Sequence, residues 1–362
     1  MKLIRVIIRR LLLWSNVSLA IALLLSFFLT FIDPASFSPA GFAGLPFIFL
    51  WLICLFIIPI WLFYRRKYWL ISIPALLLTL PGLITSWGFH FTSSSSKPSP
   101  GSFTVMTFNC SSMGLNGYLI DTLEQVRIYE ELEKASPDIL CLQEFFTHAE
   151  ADFINHINNI RKKLNYGHYY FIRQFTIMET WHYGSVLFSR FPIIDTANVP
   201  LPNAGPFEVL MRARLLIGKD TVRLLSGHLA SYKLRQQDYA VLTSPKGLVR
   251  KVANKMRRSF GPRSQQAQIL RDEITASTDP LIVVGDLNDV PVSFTYKTVR
   301  GNLQDAFLAK GAGLGRTFSA LAPNLRIDYI FADRHFNVDN FFIYRRKGFE
   351  HFPVMTRLSS GK

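Results

Sequence analysis

Three long apolar runs, residues 11–31, 42–64 and 68–91, open the chain, and none has a charged residue in its middle. Each reaches the ~20 residues needed to cross a bilayer, which predicts a membrane domain of three transmembrane helices over residues 1–91. A cleaved signal peptide ending near Ala20-Ile21-Ala22 is the alternative, but the first run continues to Phe31, which favours an anchor. The Ser-, Pro- and Gly-containing stretch 92–102 reads as a linker.

From residue 103 the pattern changes. Residues 103–108 alternate as a strand and meet Asn109. Leu123, Val126, Tyr129 and Leu132 recur at helical spacing over 121–135, and Ser136-Pro137 stops that helix. Residues 138–142 form a buried strand that runs into Gln143-Glu144, and a second helix covers 149–164. Strands follow at 169–174, 184–190, 208–217 and 221–228, then a helix at 264–276 and strands at 281–285, 326–331, 336–344 and 354–358. This order predicts two packed sheets flanked by helices over 103–362, long enough for a core of its own.

Charge adds orientation. Lys2, Arg5, Arg9 and Arg10 precede the first run, and Arg65, Arg66 and Lys67 separate the second from the third. The loop 32–41 has no Lys or Arg. Basic flanks stay in the cytoplasm, so three crossings place everything after residue 91 outside it, in the periplasm of a Gram-negative cell. Pro74 and Pro81 interrupt the third run, and a re-entrant segment there would reverse the topology. The chain carries +15 overall. Seven of its 40 Lys and Arg and one of its 25 acids precede Lys97, which leaves +9 on the rest. Such a domain suits anionic headgroups, nucleic acid or other phosphates.

Residues 232–263 concentrate that charge. Lys233, Arg235, Lys246, Arg250, Lys251, Lys255, Arg257, Arg258 and Arg263 face one acid, Asp238, and Leu248, Val252 and Met256 form an apolar stripe. The segment is either a solvated basic helix or a surface that grips an anionic membrane or substrate. Cys110 and Cys141 are either a disulfide pair or two buried thiols. Gly311–Gly315 lacks the strand context of a nucleotide loop and reads as a flexible turn.

Polar residues at strand ends carry the chemistry. Asn109 follows Thr-Val-Met-Thr-Phe, Glu144 follows Ile-Leu-Cys-Leu-Gln, and His228 follows Leu-Leu-Ser-Gly. Asp286 and Asn288 follow Leu-Ile-Val-Val-Gly, two apart, so an extended backbone would aim both to one side. Glu350-His351 precede Phe352-Pro353-Val354, and Asp328 lies inside a strand, where a carboxylate needs a partner.

In this order, Thr107-Phe-Asn109, Leu142-Gln-Glu144, Ser226-Gly-His-Leu229, Gly285-Asp-Leu-Asn-Asp289, Ile327-Asp-Tyr329 and Glu350-His-Phe-Pro353 resemble the endonuclease/exonuclease/phosphatase superfamily. Gly184–Ile193 and Arg263-Ser-Gln-Gln266-Ala267 fit the same resemblance. It implies an α+β fold, a four-layer sandwich of two mixed β-sheets between helices, and metal-dependent hydrolysis of a phosphodiester or phosphomonoester. Glu144 would bind Mg²⁺ or Mn²⁺, with Asn109 and Glu350 beside it. Asp286 would orient or deprotonate the attacking water, and Asn288 and His228 would hold the phosphate. His351 would act as base or electrostatic partner, its tautomer fixed by Asp328. Arg263 joins Asn288 and His228 as an expected substrate contact.

The family usually has Ser-Asp-His where this chain has Phe349-Glu350-His351. The extra methylene moves the carboxylate by about one bond length, ~1.5 Å. A membrane-tethered, metal-dependent phosphodiesterase or phosphatase with an extracytoplasmic catalytic domain is the leading expectation, and the tether and basic segment lean toward a lipid headgroup or another anionic molecule near the bilayer. An extracytoplasmic nuclease is the nearest alternative, and a non-catalytic binding or sensor domain the third.

Overall fold

The computed structural model describes residues 2–64, 66–91, 99–117, 123–150, 154–234, 246–319 and 325–361. Residues 92–98 of the expected linker, Asp121, Arg65, Arg235 and Asp238, and the side chains of Lys2, Arg5, Arg66, Lys246 and Leu248, lie outside that description.

The strands, in chain order, are β1 (Gly88–Phe89), β2 (Phe103–Asn109), β3 (Ile139–His148), β4 (His168–Ile177), β5 (Trp181–Ser189), β6 (Ile193–Val199) and β7 (Val209–Ile217). They continue with β8 (Asp220–His228), β9 (Leu281–Asp286), β10 (Gln304–Asp305), β11 (Ala312–Gly313), β12 (Asp328–Ala332), β13 (Phe336–Ile343) and β14 (Val354–Ser360). Two six-stranded sheets result, β13-β14-β2-β3-β5-β4 and β10-β12-β9-β8-β7-β6. Each is mixed, with a central parallel pair, β2/β3 in one and β8/β9 in the other.

Period-two side chains build three cores from these strands. Val105, Ile139, Cys141 and Leu187 meet Met211, Leu224, Ile282 and Val284 between the sheets. Met106, Leu140 and Leu142 face outward onto Ile128 and Leu132 of helix Glu124–Ala135 and Ile160 of helix His156–Leu164. Leu225, Leu281 and Val283 face the other way, onto Ala267 and Leu270 of helix Lys246–Thr275 and Tyr296 of helix Phe294–Arg300. The layers are helix, sheet, sheet, helix. Cys110 and Cys141 are free thiols in two different cores, on opposite faces of one sheet.

The sequence reading missed helices Phe294–Arg300 and Ala306–Lys310 and strand β10, and three further elements differ from it. The polar edge strand β6 was hidden by its Asp195, Thr196 and Asn198. The basic segment and the helix expected at 264–276 are one helix, Lys246–Thr275, that runs through Pro262. The glycines at 311–315 are not a free turn: Ala312–Gly313 is β11, which pairs with β1 from the N-terminal region.

Among the described residues, the N-terminal region holds one helix long and apolar enough to cross a membrane, Val6–Phe31, of 26 residues and mean hydropathy 2.1. Three full spans are not formed among them. Chain from 42 to 46 belongs to a separate short helix and turn, so the second apolar helix is Phe47–Phe63. At 1.5 Å per residue that is about 26 Å, short of a ~30 Å hydrocarbon core. The third run breaks at Thr79 into Trp69–Leu78 and Leu80–Ser86, bent by 58°, where Pro81 opens the second piece. Counted as one span, that pair brings the total to two. The run's last residues leave the helices to form β1.

These helices pack on one another around Leu23, Phe47, Cys54 and Leu76. Buried Asn16 joins them, donating to the Tyr68 carbonyl at 3.1 Å and accepting from Ser72 Oγ at 2.8 Å. They also dock on the sandwich. Phe42 meets Phe260 edge-on at 4.7 Å. Lys297 donates to Thr30 and sits 3.2 Å from the Phe31 ring centroid, and Ser264 donates to Asp33.

Candidate active site

Strand register brings the polar ends together. β8 and β9 run parallel with His228 opposite Asp286, and β12 runs antiparallel with Asp328 opposite Asp286. Across the sandwich, β2 and β3 end side by side with Asn109 opposite Gln143. His351 pairs with Phe318 in an isolated bridge just before β14. Both parallel pairs therefore deliver their carboxyl ends to one rim. Gly285 permits the close approach there. Its φ is +133°, and a Cβ would lie 1.9 Å from the Gly227 carbonyl oxygen.

At Glu144 the ladder slips between Leu142 and Phe145, and the residue takes φ +47°. That bulge aims its carboxylate at the cleft rather than along the pleat. Asn288 likewise has φ +53°, and its N–H donates to Asp286 Oδ1 at 2.8 Å. The two share a cleft because the chain turns after β9, not because it stays extended. Left-handed backbone at two site residues is strain held by the surrounding packing.

The contacts form one network. Asn109 Nδ2 donates to Glu144 Oε1 at 3.0 Å and to Asp286 Oδ2 at 3.2 Å. His228 Nδ1 lies 2.8 Å from the Phe207 carbonyl, so it carries the proton. Its Nε2 faces Glu144 Oε1 at 3.6 Å and Asp286 Oδ2 at 3.8 Å, buried and without a hydrogen bond. His351 Nδ1 lies 3.2 Å from both oxygens of Asp328 and 3.7 Å from Asp286 Oδ2. Burial opposes a charged His351, but Asp328 and then Asp286 outweigh it and push its pKa up to about 10. Asp286, wholly buried, is raised by desolvation and by Asp328, against the pull of His351 and His228.

Asn109, Glu144, Asp286, Asn288, Glu350 and His351 line one cavity of about 550 Å³. Glu350 stands exposed at its rim, with Ser111 Oγ donating to Oε2 at 3.3 Å. His228 and Asp328 lie behind these residues. Arg263 does not reach the cavity. Its Nε donates to the Ala230 carbonyl at 2.8 Å, Nη1 to the Asn288 carbonyl, and Nη2 to Ser259 Oγ at 2.9 Å, while Asp289 lies 3.5 Å away. The expected substrate contact is instead a buried brace for the Asn288 turn. One turn on, Gln266 accepts from the Ala230 N–H at 2.8 Å and donates to Glu208 at 2.8 Å.

A profile of the endonuclease/exonuclease/phosphatase family matches residues 106–350. The chain belongs to the endonuclease/exonuclease/phosphatase family. A second profile, for a domain of unknown function, matches residues 9–86. Among curated proteins, none matches the chain. Solved structures share the fold. An endonuclease/exonuclease/phosphatase from Beutenbergia cavernae is 21% identical with TM-score 0.53, covering 72% of each chain. The human Nocturnin catalytic domain with bound sulfate is 20% identical with TM-score 0.52, covering 72% of this chain and 95% of its own. An endonuclease/exonuclease/phosphatase from Bacteroides vulgatus is 16% identical with TM-score 0.52, covering 72% and 99%.

In this endonuclease/exonuclease/phosphatase domain the donor set fits a hard divalent cation. Glu144 and Glu350 offer carboxylate oxygens to the same cavity as Asn109 and Asp286. The ion-pair partners of Glu144 and Asp286 are histidines, and His228 Nε2 remains unpartnered beside them. Among the described residues, Asp286, Asp328 and His351 also bring potential ligand atoms within 4.8 Å of one another, buried deeper. There His351 Nδ1 is already taken by Asp328. Glu144 and Glu350, which line the more open cavity, are residues that could hold a cation. Thr107, Gln143 and Ser226, quoted in the motifs but given no role there, lie beneath the site. Gln143 Nε2 donates to Thr107 at 3.0 Å and to Ser226 at 3.2 Å, tying the two sheets together. Besides their place in the motifs, their signal was polarity inside otherwise apolar strands.

Proposed function

We propose that the protein is a membrane-attached, divalent-metal-dependent phosphoric ester hydrolase. The observation that carries this reading is the convergence of Asn109, Glu144 and Asp286 with the His351–Asp328 pair on one cavity. Family membership supports the hydrolase class. Glu144, with Asn109 and Glu350 beside it, would hold Mg²⁺ or Mn²⁺. The cation would supply charge stabilisation for the phosphoryl oxygens.

The chain's own groups do the rest. Asp286 orients the attacking water and accepts its proton. Asn288, its side-chain Nδ2 anchored on the Leu229 carbonyl at 2.9 Å, holds the phosphate side of the cleft. His228 donates from Nε2 toward charge that builds on phosphorus-bound oxygen, which requires the imidazolium because Nδ1 already donates to Phe207. His351 faces the site as a cation held by Asp328. With purified full-length protein in detergent and a 4-nitrophenyl methyl phosphate reporter, Mg²⁺ or Mn²⁺ is expected to restore turnover abolished by EDTA. Equal turnover with and without EDTA, or no turnover under any metal, would sink this reading.

Attachment runs through helix Val6–Phe31, whose N-terminal end carries Arg9 and Arg10. Basic residues at that end keep it in the cytoplasm. One crossing then sets the catalytic domain outside, whereas a second crossing by the bent pair would return it. A reporter active only in the cytoplasm, fused after Lys362, is expected to stay silent; a signal would establish the two-crossing arrangement.

A further inference from the structure

We propose that the substrate is an amphipathic lipid phosphate whose hydrocarbon chain lies along an apolar wall of the catalytic cavity. The inference rests on the phosphoester-hydrolase reading and names its substrate class. Away from the carboxylates, the cavity is lined by Leu45, Leu234, Val252, Met256, Leu325 and Ile327, with the rings of Tyr232 and Phe318 and the polar Ser231 and Lys233 beside them. The non-aromatic apolar side chains outnumber the two rings, and both rings are already engaged, Tyr232 under the Arg263 guanidinium and Phe318 edge-on to His351. A nucleotide site would use such rings for stacking on bases.

The origin of the wall matters as much as its chemistry. Leu45 belongs to the N-terminal region, two residues before the apolar helix that starts at Phe47. Val252 and Met256 are one turn apart on helix Lys246–Thr275, so they share a face. Phe260, a turn further on, packs on Phe42, which fixes that helix against the N-terminal region. The cavity is thus built at the seam between the apolar helices and the sandwich. The seam is held by the β1/β11 pairing and by Lys297 on Phe31. A lipid leaving the same bilayer meets hydrocarbon first and the carboxylates second.

Charge agrees with this placement. Arg250, Lys251, Arg257 and Arg258 are exposed on the outer side of the helix that supplies Val252 and Met256. An amphipathic basic helix of this kind suits an anionic membrane surface. Val252 and Met256 line the cavity, whereas Arg250, Lys251, Arg257 and Arg258 do not, so these four cations serve the membrane rather than the scissile phosphate.

The test uses full-length protein in detergent and 4-nitrophenyl alkyl phosphates with alkyl chains of one to twelve carbons, kept below micelle-forming concentrations. kcat/KM is expected to rise by up to about fourfold per methylene until the wall is covered. In Leu45→Ser and Met256→Ser that slope is expected to flatten. Each variant is compared with itself across the series, so a general loss of activity does not imitate the effect. Calorimetry on the EDTA-treated protein adds a readout without turnover: dodecyl phosphate should bind at least 100-fold more tightly than inorganic phosphate. A flat chain-length series with equal binding of the two phosphates would overturn the lipid assignment and leave the hydrolase reading standing. Faster cleavage of a single-stranded DNA oligonucleotide than of any alkyl ester would replace it with a nuclease. Tight dodecyl phosphate binding without turnover of any ester would keep the wall and remove the hydrolase.

Discussion

Asp286→Asn is expected to lower kcat on the methyl ester by about 10²–10⁴-fold, the span typical for losing a positioned acid–base group. The substitution removes charge at nearly constant shape, with the loss of one hydrogen bond, because an amide nitrogen at the Oδ2 position faces the Asn109 Nδ2 donor. Asparagine can still accept from the Asn288 N–H through Oδ1, the bond that holds the turn after β9. It cannot accept a proton from water, and it removes the anion that faces both His228 Nε2 and His351 Nδ1. Stability should move little or rise. The carboxylate is wholly buried, desolvation and Asp328 both disfavour its ionisation, and such groups are kept for activity at the expense of stability. Thermal melting and kcat measured on the same preparation check the two halves separately. More than about a tenth of wild-type kcat in a folded Asp286→Asn protein would remove Asp286 from the proton-transfer role.

The site was legible where local pattern and fold agree. Asn109, Glu144, His228 and Asp286 each follow an apolar run, and a parallel pair delivers two such ends to the same rim. Asp328 was legible for another reason: a carboxylate inside a strand must find a partner, and His351 is that partner. Arg263, expected as a substrate contact, instead lies buried, because neither motif matching nor a charge count fixes the phase of a helix. Arg257 and Arg258 point outward, whereas Arg263 turns inward onto Ala230 and Asn288.

The membrane region failed for a related reason. Hydropathy adds up residues, but a span needs one unbroken helix. Pro81 and the bend at Thr79 divide the third run, and its tail is claimed by β11, a partner far along the chain. No local pattern could show that pairing, nor that Leu45 would enter the catalytic cavity. Tertiary contact decided both.

Arg326→Met is expected to destabilise the folded protein by about 3–5 kcal/mol, the usual cost of removing one member of a buried ion pair. Arg326 and Asp305 are each 1% exposed, and Nη1 lies 2.6 Å from Asp305 Oδ2. Methionine fills much of the same volume and preserves contact with Phe307, Tyr296 and Tyr329, which surround the guanidinium. The loss is therefore mainly electrostatic. Asp305 would keep Tyr296 Oη at 2.8 Å and the Phe307 N–H at 2.9 Å, too little to offset a buried charge left without its cation. The effect should also reach beyond the sandwich. Nη2 donates to the Thr85 carbonyl at 3.0 Å, next to β1, so the same guanidinium fastens the end of the apolar helices to the catalytic domain. A double variant, Arg326→Met with Asp305→Asn, removes both charges but keeps a polar partner for Tyr296 Oη and an acceptor for the Phe307 N–H, and should recover much of the stability while leaving that fastening broken. Thermal melting in detergent reads the first effect, and protease sensitivity between the N-terminal region and the sandwich reads the second. If the double variant melts no higher than Arg326→Met, the ion pair is not the source of the loss, and packing around Arg326 must carry it.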